Sequence, residues 1–351
     1  MDRRKRLVIA VLISVGALVW FVQGVEWDAL WGSIQGIHLG WVLLSSLILL
    51  GEFGIRAFRW NVLLRPLGKT VKTQDLFAAQ VIGAAVNILL PFRAGEIAKP
   101  VVAARRTQHP LAAVVATAVM ERVYDLFGMV TLLVLMAVVL APDAGVGASA
   151  ENQILVTNLK KYGGLFGLFA LSCMLIFFVL ATREQTARRT FAAIVSISPP
   201  PIRDRFMDLF DGFVLGLGNT RDRRGLIQAG VLSIWMWLNG AVAIWCLFQA
   251  FDIPLPFGAA CFVSVAIALT VALPQAPGFI GVFHIAIAKT LVLWGQQDNL
   301  AKGFAIVFWA VSFLPVLGVG LVALWKEGMS LSSFRTKKPP QPSVSEEQEH
   351  S

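Results

Sequence analysis

This chain of 351 residues predicts an all-α, polytopic membrane protein: about six spanning helices plus two re-entrant helical hairpins in an inverted repeat. The first observation is composition. With 57% hydrophobic and 15% charged residues and a mean hydropathy of +0.71, the chain is too apolar for a soluble protein of its size. The second is that two long apolar stretches are interrupted in the same manner, one by Asn87-Ile88-Leu89-Leu90-Pro91-Phe92-Arg93-Ala94-Gly95-Glu96. The other is broken by Ala272-Leu273-Pro274-Gln275-Ala276-Pro277-Gly278-Phe279-Ile280-Gly281. Broken helices at matching places in two halves free backbone groups and helix ends to meet a polar ligand within the bilayer.

Taken in order, the basic run Met1 to Arg6 precedes an apolar segment and reads as an uncleaved first span at 7–25. Further full spans are expected at 39–58, 111–141, 163–181, 226–250 and 303–325, each near the ~20 residues that cross a hydrocarbon core. Regions 76–106 and 257–296 contain the Pro/Gly breaks and read as hairpins that return to the side they entered from. Four regions follow: 1–181, a membrane half with its hairpin; 182–225, a cytoplasmic loop; 226–329, the second membrane half; and 330–351, a polar tail expected to be disordered.

Basic residues crowd 1–6, 59–72, 93–106, 183–224 and 335–338, whereas 26–38 and 251–256 carry acids without Lys or Arg. That bias predicts a cytoplasmic-membrane protein with both termini in the cytoplasm, the first hairpin opening inward and the second outward. Within the loop, Ile202, Phe206, Leu209, Phe210, Phe213 and Leu217 recur at helical spacing, either for a helix on the membrane surface or for packing against other loops.

Several function classes are excluded or disfavoured. The formal charge of +9 comes from residues between apolar runs and at the termini, so it sets topology and gives no reason to expect a nucleic-acid partner. Cys173, Cys246 and Cys261 lack redox or zinc spacing, and His38, His109, His284 and His350 are scattered, so neither a metal nor another cofactor is expected. Gly68-Lys69-Thr70 lacks the first glycine of a phosphate-binding loop, Leu63 standing in its place. No nucleophile or catalytic residue emerges, and an enzyme is not the leading expectation.

The candidate binding residues are the charges inside apolar segments, each of which costs ~2.5 to 3.5 kcal/mol on insertion unless paired or facing a wet cavity. Glu52, Arg56 and Arg59 share one helical face; Glu121 and Asp125 share another, with Arg122 within reach of Asp125. Either set could lock helices together or line a pathway, and Arg59 is expected to snorkel toward phosphate head groups. Arg93, Glu96 and Lys99 follow the first break at three-residue spacing on one side of the returning helix. The unpaired N–H groups of that helix's first turn, together with Arg93, would suit a phosphate. Glu96 either neutralises an arginine, meets a cationic head group or complements its own helix dipole. Near the second break, His284 is a proton relay, a cavity contact or simply a hydrogen-bonded core residue, and Lys289 snorkels.

At these residues the chain resembles the lysylphosphatidylglycerol synthase transmembrane/flippase family. The likeness rests on Arg56-x-x-Arg59-Trp60-x-x-Leu63-Leu64-x-Pro66, the Asn87 to Glu96 segment, Glu121-Arg122-x-x-Asp125, and Leu273-Pro274-x-x-Pro277-Gly278-x-x-Gly281, in that order over nearly the whole chain. The resemblance implies that Arg93, Glu96, Glu121, Arg122 and Asp125 line a lipid pathway, with Glu52, Arg56, Asn87, Pro274, Gly278 and His284 as further candidates. It implies membrane lipids, anionic or phosphate-bearing, as the cargo and lipid-synthesis enzymes as partners. The chain departs from the family at Phe279 and His284, where members often carry Gly and Glu. Beyond residue 326 only a short tail follows, so no aminoacyl-transfer activity is expected of it. The expected function is lipid translocation. The alternatives are an enzyme acting on a lipid head group, with Glu121 or Asp125 as base, and a non-transporting partner of an envelope-lipid synthesis complex.

Overall fold

The computed structural model describes residues 27–68, 71–90, 93–140, 184–196, 199, 203, 207, 223–272 and 277–328. Every regular element among them is helical: α1 (Trp27–Gln35), α2 (Leu39–Leu64), α3 (Thr73–Leu89), α4 (Gly95–Thr107), α5 (Leu111–Leu140), α6 (Glu184–Val195), α7 (Arg223–Ala250), α8 (Phe257–Ala272), α9 (Val282–Leu293) and α10 (Asp298–Lys326). Short 3-10 turns occupy Arg65–Leu67 and Pro277–Phe279. The expected spans at 7–25 and 163–181 and the tail lie outside the described residues. So does the amphipathic loop helix, apart from Arg203 and Met207.

The sequence explains where helices stop. Pro66 tightens the end of α2 into a 3-10 turn, and Gly68, at φ +79°, reverses the chain, a conformation that costs other residues about 1–2 kcal/mol. α3 ends at Leu89 because Leu90, the residue before Pro91, is forced into the extended region (φ −115°, ψ 145°). Among the described residues, three helices are long and apolar enough to cross a membrane: Leu39–Leu67 with its 3-10 extension, Arg224–Ala250 and Asp298–Lys326. α5, at 30 residues, is longer than any of these.

The short helices come in two pairs. α3 has 17 residues and α4 has 13, while α8 has 16 and α9 has 12; at 1.5 Å per residue these arms reach about 18–26 Å, less than the ~30 Å of a hydrocarbon core. In each pair the arms pack on one another. Leaving aside α1 and α6, the described helices run long, short, short, long twice: 26, 17, 13 and 30 residues, then 28, 16, 12 and 29.

Packing repeats as well. The contacts α2–α3, α3–α4, α4–α5 and α2–α5 recur as α7–α8, α8–α9, α9–α10 and α7–α10. Across the halves, α3 packs on α10 as α8 packs on α5, α2 on α10 as α7 on α5, and α2 packs on α7 itself. Those two central helices run antiparallel. Ser45 Oγ donates to the Ala243 carbonyl (2.8 Å), Asn239 Nδ2 to that of Ile48 (3.1 Å), Arg59 to Ser233 Oγ (2.8 Å) and Arg65 to Gln228 (2.9 Å), so numbers rise along one helix as they fall along the other. Without a hydrophobic drive between helices in lipid, such polar pairs and close small-residue contacts hold the interface, here with Ala57 and Ala243 fully buried.

Candidate functional site

The first hairpin is tight because two glycines face each other across it. A Cβ on Gly95 would sit 1.8 Å from the Gly83 carbonyl oxygen, and one on Gly83 would sit 2.8 Å from Lys99 Cβ. This close approach brings Asn87 Oδ1 to the Gly95 N–H at 2.7 Å, an N-terminal cap supplied from the opposite arm. The Glu96 and Ile97 N–H groups donate to the Arg93 and Ala94 carbonyls. Here the structure corrects the sequence reading. These first-turn amides are committed within the hairpin, so an anion held there relies on side chains.

Around this tip lies a cavity of about 460 Å³. Its polar lining is Arg56, Gln80, Asn87, Arg93, Glu96, Lys99, Arg122 and Asp125. The rest is largely apolar, with Phe53, Leu126, Met129, Met236, Trp237 and Val271, and reaches Phe279 at the tip of the second hairpin. Both hairpin tips and helices of both halves therefore bound one space. Trp237 seats against Gly128, where a Cβ would come within 2.3 Å of the indole.

The charged lining is a network. Glu52 accepts from Arg56 Nη2 at 2.6 Å, one turn along α2. Lys99 Nζ lies 2.5 Å from Glu121 and 4.6 Å from the Trp60 ring centroid, and Gln80 donates to the second Glu121 oxygen at 3.0 Å. Arg122 joins two helices, pairing with Asp125 (3.0 Å) along α5 and with Glu96 (2.6 Å) on α4. Arg59 departs from expectation. It is 1% exposed rather than snorkelled, pairs with Asp125 at 2.7 Å and Glu121 at 3.8 Å, and donates to Ser233. Desolvating a guanidinium in the bilayer is costly, and two carboxylates within reach offset more of that cost than a lipid phosphate at the rim would.

Arg93 is held differently. Its acidic neighbour, Glu96, is 3.5 Å away and already closer to Arg122, and among the described residues its buried Nε has no hydrogen-bond partner. Its backbone also sits at φ +53°, in the left-handed region that a non-glycine residue adopts at a cost of about 1–2 kcal/mol.

Of the residues singled out from sequence, Arg56, Asn87, Arg93, Glu96, Arg122 and Asp125 line the cavity. Glu52 and Glu121 sit behind them as partners of Arg56 and Lys99. His284 does not join them. It is 7% exposed, lies against Trp309 and Phe283, and accepts from the Gly281 N–H at 3.4 Å, which makes it part of the α9 start. Gly278, at φ +75°, shapes the second tip and accepts from Trp309 Nε1 at 2.7 Å, outside the cavity wall. Pro274 lies outside the described residues. Lys289 is exposed. Gln80, Ser312 and the apolar lining were not singled out; nothing marks Met129 or Trp237 among so many apolar neighbours.

A helical membrane protein with two packed hairpins meeting at a charge-lined hollow is the class this geometry defines. The description "Lysylphosphatidylglycerol synthase TM region" matches residues 7–320, and the chain belongs to that family. It is 23% identical to a UPF0104 membrane protein of Methanothermobacter thermautotrophicus, over 92% of this chain and 93% of that one. It is also 24% identical to the glycosyltransferase AglD of Haloferax volcanii, over 81% of this chain but 48% of the relative, so the likeness spans about half of that longer protein. No solved structure matches.

Proposed function

We propose that this protein moves a phosphate-bearing lipid between the leaflets of the cytoplasmic membrane. The observation that carries the reading is the mixed lining of the cavity between the hairpin tips: charged and amide side chains, Arg56, Gln80, Asn87, Arg93 and Glu96 among them, together with the apolar Phe53, Met129, Met236 and Trp237. A lipid combines the same two characters, and its acyl chains can remain in the bilayer while the head crosses. Arg93, tied more loosely than its neighbours, takes the phosphate, and the surrounding ion pairs keep the polar lining in place.

The repeated helix order, the mirrored packing and the antiparallel α2–α7 pair support an inverted repeat, whose two hairpins enter from opposite sides. Rocking of the repeats about the central pair then opens the cavity to each leaflet in turn. The distribution of basic residues supports both termini in the cytoplasm. Sugar-bearing heads suit the cargo, given the similarity to a protein named as a glycosyltransferase, and that name also favours a second reading, chemical modification of a lipid head.

Reconstitution tests all of these. Purified protein in liposomes carrying fluorescent phosphatidylglycerol should expose inner-leaflet label to an external quencher, and Arg93→Gln should slow the exchange by about tenfold or more. A change in lipid mass would favour the enzyme, and neither exchange nor chemical change would leave a binding partner of lipid-synthesis enzymes.

A further inference from the structure

The ionisable groups of the cavity wall and their direct partners do not cancel. Among the described residues, Arg56, Arg59, Arg93, Lys99 and Arg122 gather around Glu52, Glu96, Glu121 and Asp125, five cations against four carboxylates. All four carboxylates are engaged at short range: Glu52 by Arg56, Glu121 by Lys99, Asp125 by Arg59 and Arg122, and Glu96 by Arg122. The excess charge falls on Arg93. That assignment has its own support in the 3.5 Å separation from Glu96, against 2.7 Å or less to the nearest carboxylate for each other cation, and in the left-handed backbone that holds the side chain at the hairpin tip. A low-dielectric surrounding penalises an uncompensated charge of either sign, so the ligand that suits this wall brings a single negative charge.

We propose that the cavity selects a lipid phosphodiester whose head is otherwise uncharged, a polyol or a sugar, and disfavours aminoacylated, cationic heads. This rests on the transport reading for its cargo being a lipid, and it narrows which lipid. A phosphodiester carries one charge and matches the Arg93 excess. A phosphomonoester carries about −1.5 to −2 at neutral pH and overshoots it. An ammonium or aminoacyl head needs a carboxylate of its own, and the four present already hold guanidinium or ammonium groups at 3.0 Å or less. Neutral groups remain for a hydroxylated head. Asn87 commits its Oδ1 to Gly95 and keeps its NH2 to donate, and Ser312 also lines the cavity.

The test is a binding series on the full chain in detergent, read by quenching of intrinsic tryptophan fluorescence. The probes are short-chain phosphatidylglycerol, phosphatidic acid, phosphatidylcholine and lysylphosphatidylglycerol. Wild type should bind phosphatidylglycerol about tenfold or more tightly than phosphatidylcholine and lysylphosphatidylglycerol. Arg93→Gln should erase that preference and Arg93→Lys restore most of it, which separates lost charge from lost folding. Glu96→Gln raises the excess by one charge and should shift preference toward phosphatidic acid. Equal binding of the cationic lipid, no binding of any lipid, or an unchanged order in Glu96→Gln would overturn the proposal. Leaflet exchange measured on the same preparation keeps the two ideas apart. Selectivity without exchange removes the transport reading alone, and exchange without selectivity removes this one.

Discussion

Arg59 Nη2 lies 2.7 Å from the Asp125 carboxylate, joining α2 to α5 across 66 residues of sequence, and the arginine is 1% exposed. A pair so buried is a structural tie as well as part of the cavity wall. Asp125→Asn should therefore lower stability by about 3–5 kcal/mol, because it leaves a guanidinium short of its closest charge. Replacing both partners with apolar residues, Arg59→Met with Asp125→Leu, should recover much of the loss. Thermal unfolding in detergent checks both. Loss of transport in the single variant would then report on folding, which makes Arg93 the better probe of function.

The facing glycines of the first hairpin predict a sharp contrast. Gly95→Ala places a methyl group 1.8 Å from the Gly83 carbonyl oxygen, a backbone atom that moves only if the arms separate. Overpacking of this kind costs about 1–3 kcal/mol or more. Gly51→Ala, with nothing within 4 Å of the new atom, should be neutral or slightly stabilising through helix propensity. Melting temperatures of the two variants make the comparison.

Asn87 separates capping from charge. Asn87→Ala removes the acceptor for the Gly95 N–H and should cost about 1–2 kcal/mol. Asn87→Asp keeps the acceptor, so the melting temperature should hold. It also adds a negative charge beside Arg93, and phospholipid binding should weaken. A melting curve and a binding titration on each variant distinguish the two effects.

At the second tip, Trp309 Nε1 donates to the Gly278 carbonyl at 2.7 Å. Trp309→Phe should cost about 1 kcal/mol, and by loosening the tip it should slow leaflet exchange more than it weakens binding. Parallel measurements of exchange rate and affinity decide whether the effects divide in that way.

Much of this organisation could be read from sequence because the signals were local. Helix boundaries at 39, 111, 250 and 257 coincide with the expected ones, since proline, glycine and apolar run length act within a few residues. The Glu52–Arg56 and Arg122–Asp125 pairs followed from helical spacing. Long-range partnerships did not. Nothing near Arg59 in sequence points to Asp125 or Ser233, and the capping of Gly95 by Asn87 depends on how closely Gly83 lets the two arms approach. Gln80, Met129 and Trp237 escaped notice because their part in the wall comes from position, with no distinguishing residue type.

Ile88 from the first hairpin and Phe279 from the second share one apolar cluster beside the cavity, so relative motion of the two tips can be arrested there. The most direct measurement is the initial leaflet-exchange rate of the Ile88→Cys, Phe279→Cys protein in liposomes, before and after bridging by a short cleavable bifunctional reagent. If lipid crosses between tips that part and close, bridging stops exchange and cleaving the bridge restores it. Exchange that continues unchanged across the locked tips would contradict that route.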